Sequence, residues 1–203
     1  MNKKDILIVC ALKVETQGQL DNYFDDERQI LYTGVGKVNA TIKLTQRLHS
    51  SHLHYMPIMP KLVINYGTAG SRKIKKKTLV DCTKFIQRDM DVTGLGFMKG
   101  ETPFEQDPPF IIQQQNIEFN PIGRNATCGT GDNFAEDKSQ YYGEVVDMEA
   151  YALAKVCYLY DVPFISFKYI TDGADEQAHE DWEANLADGI EVFKEKVLSE
   201  IKE

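Results

Sequence analysis

The chain has 203 residues, of which 42% are hydrophobic and 27% are charged, and this balance is typical of a globular protein with one sizeable core. Its 31 acidic residues outnumber its 23 lysines and arginines, which gives a formal net charge of −8. A negative charge of this size argues against non-specific binding to nucleic acid or to an anionic membrane surface. We therefore expect neither nucleic acid nor a membrane as a partner.

Cysteine and histidine usage indicates a reduced protein without a metal site. The four cysteines are far apart and form no Cys-x-x-Cys pair, and none of the four histidines has metal-motif spacing to a second ligand in a helix. No stretch approaches the length of a membrane span, and the first apolar run is too short for a signal peptide. We expect a cytoplasmic protein that uses no metal and no cofactor.

Apolar runs and amphipathic stretches alternate along the chain. The runs predict strands at residues 5–10, 28–32, 62–66, 78–86, 110–112, 126–129 and 164–170,. Helices are predicted within 11–24, from 38 to 48, from Glu149 onward and at the end of the chain. In the last of these, apolar residues recur every three or four positions, at Trp182, Leu186, Ile190, Phe193, Val197 and Ile201,. Such alternation predicts a single domain over residues 1–203, folded as a three-layer α/β/α sandwich with a central mixed, mostly parallel sheet.

Four of the predicted strands end in small or acidic residues, after Cys10, Tyr66, Gly129 and Ile170. Ligands of open α/β sheets bind at the carboxyl ends of the strands. We therefore expect these four ends to converge at one rim. A Gly-x-Gly turn at residues 33–37 follows another strand, and its backbone N–H groups could meet an oxyanion or a ribose,.

Two acidic clusters flank the predicted strand at 164–170. Asp147 and Glu149 stand at the start of a helix, where Glu149 falls on the apolar stripe that should face the core,. Asp172 and Asp175 follow the strand. From the pattern alone, Glu149 could instead cap its helix and Asp172 could cap a loop. Glu15, in the first predicted helix, could equally be a helix-dipole partner or an exposed residue.

Seven short motifs, in order along the chain, resemble those of the nucleoside phosphorylase and nucleosidase superfamily. The resemblance is strongest to its 5′-methylthioadenosine/S-adenosylhomocysteine nucleosidase branch, and it implies a phosphorylase/hydrolase-like fold. The motifs are residues 8–11 (IVCA) with Glu15, 33–40 (TGVGKVNA), 63–70 (VINYGTAG), 91–93 (DVT), 130–134 (TGDNF), 146–149 (VDME) and 170–172 (ITD).

The resemblance implies two catalytic carboxylates. Glu15 corresponds to the base that orients the attacking water, and Asp172 to the acid that protonates or hydrogen-bonds N7 of the departing purine. Cleavage of an N-ribosidic bond builds charge on the departing base, and a dry pocket raises the pKa of an aspartate as such an acid requires.

Four further residues correspond to substrate-binding positions. By resemblance, Glu149 accepts the ribose hydroxyls, Met148 packs under the sugar, and Phe134 stacks on the purine. Thr68 stands where the family often has a serine near the nucleophile. Phe134 read without the resemblance would be a core residue.

The choice between hydrolysis and phosphorolysis depends on cations, because a phosphate dianion requires them. The first turn and residues 65–68 lack the arginines that the phosphorylases carry there. Lys13 and Lys168 are the nearby candidates, and Lys168 replaces an arginine of the nucleosidases. Water is the expected nucleophile. A phosphorylase, or a nucleoside-binding protein that has lost catalysis, is the alternative.

Some segments depart from the family pattern. Regions 24–28 and 104–125 are shortened, and Arg88 replaces a common histidine. An aspartate at 172 favours a 6-amino purine, so adenine nucleosides such as 5′-methylthioadenosine or S-adenosylhomocysteine are the expected substrates, with the 5′ substituent left open. The glycine-rich loop at 94–103 suggests a homodimer in which each copy closes the other's pocket.

Overall fold

The computed structural model describes residues 1–24, 26–52, 59–106, 111–113 and 117–202. In these ranges eight strands form one sheet: β1 (Ile6–Cys10), β2 (Ile30–Tyr32), β3 (Leu62–Gly70), β4 (Leu79–Gln87), β5 (Ile111–Gln113), β6 (Ala126–Thr130), β7 (Val145–Asp147) and β8 (Phe164–Asp172). The α-helices are α1 (Lys13–Thr16), α2 (Lys37–His52), α3 (Ala150–Leu159), α4 (Ala178–Asn185) and α5 (Gly189–Lys196). No helix in these ranges is long and apolar enough to cross a membrane.

The sheet is mixed and mostly parallel. Its order is β2-β1-β3-β7-β6-β4-β5, and β8 pairs with both β3 and β4. The β1–β2, β1–β3, β3–β8, β4–β6 and β6–β7 pairs are parallel, whereas β3–β7, β4–β5 and β4–β8 are antiparallel. In the β3–β8 register Lys168 lies beside Gly67 and Asp172 beside Gly70. This pairing brings the carboxyl ends of the two longest parallel neighbours to the same rim.

Helices cover both faces of the sheet because consecutive strand residues point to opposite sides. On β1, Leu7 and Val9 join the apolar cluster that contains residues of α2 and α3. Their neighbours Ile6 and Ile8 join the cluster that contains residues of α5. The three-layer α/β/α architecture predicted from the sequence is therefore confirmed.

The C-terminal stretch departs from the prediction of one continuous amphipathic helix, which is wrong. The chain forms two helices, α4 and α5, separated by residues 186–188. Gly189 begins α5 against the sheet, where an added Cβ would lie 2.6 Å from the Tyr66 hydroxyl oxygen. The apolar stripe from Ile190 onward packs on the sheet, whereas Trp182, on α4, lies at the rim instead.

Two other differences between prediction and structure concern short strands. The sequence gives no sign of β7, a three-residue strand that pairs with β6 and meets β3 at Gly70. The strand predicted at 110–112 is found at Ile111–Gln113, and residue 110 lies outside the described part of the chain. Both strands are so short that pairing partners, rather than local sequence, decide them.

Candidate active site

A cavity of about 290 Å³ opens at the rim where β1, β3, β6 and β8 end. Its wall includes Ala11 and Leu12 after β1, the end of β3, residues 133–135 after β6, and Asp172. The expected convergence of strand ends is thus confirmed. Four carboxylic residues, Glu15, Asp147, Glu149 and Asp172, line this one space.

Glu15 is held at the rim by three hydrogen bonds and is only 4% exposed. One carboxyl oxygen, Oε2, accepts from the Leu12 backbone N–H at 3.0 Å. The other, Oε1, accepts from the backbone N–H and from the hydroxyl of Thr68, each at 2.9 Å. The structure therefore places Glu15 inside the cavity with both oxygens fixed, and not on the protein surface.

Glycines on β3 make room for the acidic groups. A Cβ at Gly67 would lie 3.4 Å from both Glu15 Oε1 and Lys168 Nζ. At Gly70 a Cβ would come within 2.4 Å of Asp172 Oδ1, a distance that real contacts do not reach. Small residues at this strand end thus let the two carboxyl groups approach the main chain.

Asp147, rather than Glu149, caps α3. Asp147 Oδ2 accepts from the Ala150 N–H at 2.8 Å, while the Glu149 side chain makes no capping hydrogen bond. Asp147 also forms an ion pair with Lys168 (Nζ to Oδ2, 2.8 Å), and both side chains are 1% exposed. Burial raises the pKa of Asp147, but the charge of Lys168 and the hydrogen bonds from Lys168, Thr130 and the Ala150 N–H together outweigh it, so the pKa lies below its ordinary value. Lys168 is therefore engaged by the protein, beneath the cavity.

One carboxyl oxygen of Glu149 accepts a hydrogen bond from the protein, which leaves the other oxygen for the cavity. Its Oε1 accepts from the Gly36 N–H at 2.8 Å, so the Gly-x-Gly turn holds a protein carboxyl group. Burial, followed by the negative charge of Asp147, raises the pKa of Glu149 to about 8. Hydroxyl donors of a ligand would stabilise the ionised form of this group.

Asp172 lies at the end of β8, and both of its carboxyl oxygens accept hydrogen bonds from the protein. Oδ1 accepts from the Ala174 N–H and Oδ2 from the Thr171 hydroxyl, each at 2.9 Å. Although these bonds favour the ionised form, burial outweighs them and raises the pKa of Asp172 above its ordinary value. Asp172 thus caps a turn and is also a cavity acid that holds its proton more readily than an exposed aspartate.

The segment after β6 supplies the aromatic wall. Phe134 is partly buried and lines the cavity, with its ring centroid 6.4 Å from that of His179. Arg88, at the end of β4, is buried and donates to Asn133 Oδ1 at 2.8 Å and to the Gln140 carbonyl at 3.2 Å. The arginine therefore fixes the backbone that presents Phe134.

The remaining predicted site residues divide between the cavity and the surface. Met148 is partly buried and lines the cavity. Lys13 pairs with Asp21, its side chain is 65% exposed, and it is not part of the cavity wall. Arg88 and His179 are the basic residues of the wall as far as the structure is described. Within the same residues, no group of three or more His, Cys, Asp and Glu side chains is placed to hold a metal.

Among the wall residues that reasoning from sequence missed, two make hydrogen bonds to other parts of the wall. Trp182 was assigned to the apolar stripe of a long helix, yet its indole Nε1 donates to the Thr68 hydroxyl at 3.0 Å. Arg88 was noted only as a departure from a family pattern. Their partners are distant in sequence, and neither residue belongs to a local motif that would have revealed the contact.

Comparison with known proteins identifies the family of this chain. The model of the phosphorylase superfamily matches residues 22–202. A 5′-methylthioadenosine/S-adenosylhomocysteine nucleosidase of Haemophilus ducreyi is 31% identical over 98% of this chain and 88% of its own length. This chain belongs to the phosphorylase superfamily, in the branch of those nucleosidases. The resemblance drawn from the seven motifs is confirmed.

Solved structures share the fold. A futalosine hydrolase of Helicobacter pylori aligns with a TM-score of 0.76 and 22% identity over 97% of both chains. The 5′-methylthioadenosine/S-adenosylhomocysteine nucleosidase of the same organism, with butyl-thio-DADMe-Immucillin-A, gives 0.76 and 22% over 96% of both chains. At these identities the likeness establishes the architecture of this family member and nothing finer.

Proposed function

We propose that this protein is a purine nucleosidase, an N-glycosyl hydrolase that cleaves the N-ribosidic bond of adenine nucleosides such as 5′-methylthioadenosine or S-adenosylhomocysteine. The observation that carries the proposal is the convergence of three buried carboxylic side chains, Glu15, Glu149 and Asp172, on one cavity. Relatives that bear the nucleosidase name and match nearly the whole chain support it. The proposal includes a single cytoplasmic domain, in keeping with the four buried free cysteines,.

Asp172 would act at the purine. As the bond between C1′ and N9 lengthens, negative charge builds on the leaving base, and a proton delivered to N7 neutralises it. The burial that raises the pKa of Asp172 keeps such a proton available. Phe134 would stack on the purine face, on the backbone segment that Arg88 holds.

Glu149 would hold the ribose. Its Oε1 is fixed by the Gly36 N–H, and the carboxyl group lines the cavity beside Met148. The two ribose hydroxyls can donate to this carboxylate, and such bonds favour its ionised form when the nucleoside is bound. A negative charge beside the sugar also stabilises the positive charge that develops on the ribosyl ring.

Glu15 would orient the attacking water. The Leu12 and Thr68 donors fix the carboxylate, so that it can accept a proton from water as oxygen bonds to C1′. The C1′–N9 electron pair leaves with the purine, which carries the proton from Asp172. The products are the free base and the ribose with a hydroxyl at C1.

Hydrolysis is favoured over phosphorolysis because the lysine and arginine side chains near the cavity already bind other protein groups. Lys168 is paired with Asp147, and Lys13 is at the surface with Asp21. The Arg88 guanidinium donates to the 131–140 segment. The other basic group in the described part of the cavity wall is His179, whose Nδ1 lies 3.9 Å from Glu183 Oε1, whereas a phosphate dianion needs several cationic donors.

We also propose a homodimer. Large apolar side chains are exposed on α2, at Val38 and Ile42, and on the 94–104 loop, where Phe104 is 92% exposed. Exposed apolar groups in this number mark an interaction surface, and a second copy would bury them. Light scattering should give the mass of two chains; a monomer at micromolar concentration would contradict the proposal.

Product analysis tests the function. Incubation with 5′-methylthioadenosine in phosphate buffer should give adenine and 5-methylthioribose, with no new sugar-phosphate signal in the ³¹P spectrum. A sugar 1-phosphate would identify a phosphorylase. Tight binding without release of adenine, over a panel of purine nucleosides, would identify a binding protein.

A further inference from the structure

Trp182 is connected to Glu15 through one intervening hydroxyl group. The indole Nε1 donates to Thr68 Oγ1 at 3.0 Å, and Thr68 Oγ1 lies 2.9 Å from Glu15 Oε1. Trp182 is the single tryptophan of the chain and lies on α4, a helix at the edge of the cavity. The three side chains therefore form a continuous line from the cavity edge to the candidate base.

The donor and acceptor properties of the three groups decide the direction of these two hydrogen bonds. An indole N–H can only donate, an ionised carboxylate can only accept, and a threonine hydroxyl carries one proton. Because Trp182 occupies a lone pair of the Thr68 oxygen, the hydroxyl proton is left to point at Glu15. Without the indole donor, the hydroxyl could rotate and its proton could leave the carboxylate.

We propose that Trp182 is a positioning residue for the nucleophile, which acts through the Thr68 hydroxyl to fix Glu15 Oε1. This inference deepens the proposed nucleosidase function and rests on it. A phenylalanine at 182 would keep the aromatic packing against the cavity but could not orient the hydroxyl. We call the hydrogen bonds from Trp182 through Thr68 to Glu15 the relay. The relay therefore depends on the indole nitrogen and not on the shape of the ring.

The helix that carries Trp182 is anchored independently of this hydrogen bond. Asp181 pairs with Lys76, and Asn185 Nδ2 donates to the Thr171 carbonyl at 2.8 Å in a buried position. These contacts on both sides of Trp182 should keep α4 in place when the indole N–H is removed. Trp182→Phe is therefore a clean probe of the donor.

A double-mutant cycle tests the relay in turnover. We expect Trp182→Phe to lower kcat about 5- to 10-fold, the loss of one hydrogen bond in a chain that ends on a charged group, with a smaller change in KM. In the Thr68→Val background, which has no hydroxyl, the same substitution should cause no further loss. Thr68→Ser keeps the hydroxyl, so Trp182→Phe should lower kcat in that background as it does in the wild-type protein. Glu180→Gln, at an exposed position of α4, is the matched control and should leave kcat unchanged.

Equal losses from Trp182→Phe in the wild-type and Thr68→Val backgrounds would overturn the relay, because a packing role is additive. An unchanged kcat in Trp182→Phe would overturn it as well. If the wild-type protein releases no adenine, the proposed function fails, and the relay is then decided by a measurement that needs no turnover.

That measurement is the indole N–H resonance, since a single tryptophan gives one indole signal in a ¹⁵N-labelled protein. Thr68→Val should move the signal upfield and speed its exchange with solvent, because the acceptor is gone. Glu180→Gln should leave it in place. An indole signal that is identical in the wild-type and Thr68→Val proteins would show that the hydrogen bond is absent in solution and would overturn the inference.

Discussion

The wild-type protein should become less stable as pH rises because Glu149 ionises, and Glu149→Gln should abolish this destabilisation. Burial and the charge of Asp147 raise the pKa of Glu149 from an ordinary value of 4.5 to about 8 in the folded protein. Between these two values the folded state holds a proton that the unfolded state has released. The wild-type protein therefore loses stability as pH rises from 4.5 to 8, and the loss is complete above pH 8.

The structure sets an upper limit on the effect. A change from 4.5 to about 8, at about 1.4 kcal/mol for each unit, corresponds to about 5 kcal/mol. Local relaxation and water entering the cavity reduce this figure, and we expect about 2 kcal/mol. In urea, that difference shifts the unfolding midpoint by about 1 M for a protein of this size.

Urea unfolding of both proteins at pH 5, 7 and 9, without nucleoside, measures the effect. Glutamine retains an oxygen that can accept from the Gly36 N–H and never ionises. The midpoint of Glu149→Gln should therefore rise relative to wild type between pH 5 and pH 9. The pKa of its neighbour Asp147 is lowered and that of Lys168 is raised, so these two groups stay ionised between pH 5 and pH 9. Glu195→Gln, on an exposed position of α5, serves as the control and should follow wild type.

A difference between Glu149→Gln and wild type that is the same at pH 5 and pH 9 would refute the reasoning. It would mean that the Glu149 carboxyl group is not desolvated in the folded protein. A variant that loses stability relative to wild type as pH rises would have the opposite sign and would also contradict it.

Three other predictions follow from the site. Glu15→Gln and Asp172→Asn should each lower kcat for adenine release by about 100-fold or more, since each removes a proton acceptor or donor; full activity in either variant would contradict its role. Lys168→Met should destabilise the fold by about 3–5 kcal/mol in urea, because Asp147 is left buried without its partner, whereas the exposed Lys13→Met should change stability by less than about 1 kcal/mol. Gly70→Ala should lower both stability and kcat, because its Cβ would displace the Asp172 carboxyl group; an alanine variant with wild-type kcat would show that the strand end is not so constrained.

Much of the fold was predictable because the sheet is buried on both faces. Strands β1 and β8 appear in the sequence as apolar runs, and such runs are typical of central strands. Once strands and helices alternate, the carboxyl ends of the parallel strands must meet at one rim, and this places Asp172 near the end of β3. The ordered motifs then associated Glu15 and Glu149 with the same site.

The parts that could not be predicted depend on contacts between distant segments. Asp147 and Glu149 both stand at the start of α3, and the sequence does not reveal which of them caps it. The answer depends on Lys168, which reaches Asp147 from β8. Similarly, Trp182 fits the apolar helical period of the residues after it. Because α4 ends before α5 begins, however, the indole contacts Thr68 instead of the core.

The most direct test of the central claim is the initial rate of adenine release from 5′-methylthioadenosine as a function of phosphate concentration. The arrangement of Glu15, Glu149 and Asp172 around a cavity whose cations are engaged predicts release in phosphate-free buffer, at a rate that added phosphate does not increase. No release without phosphate, or a rate that rises in proportion to phosphate and saturates, would contradict the account.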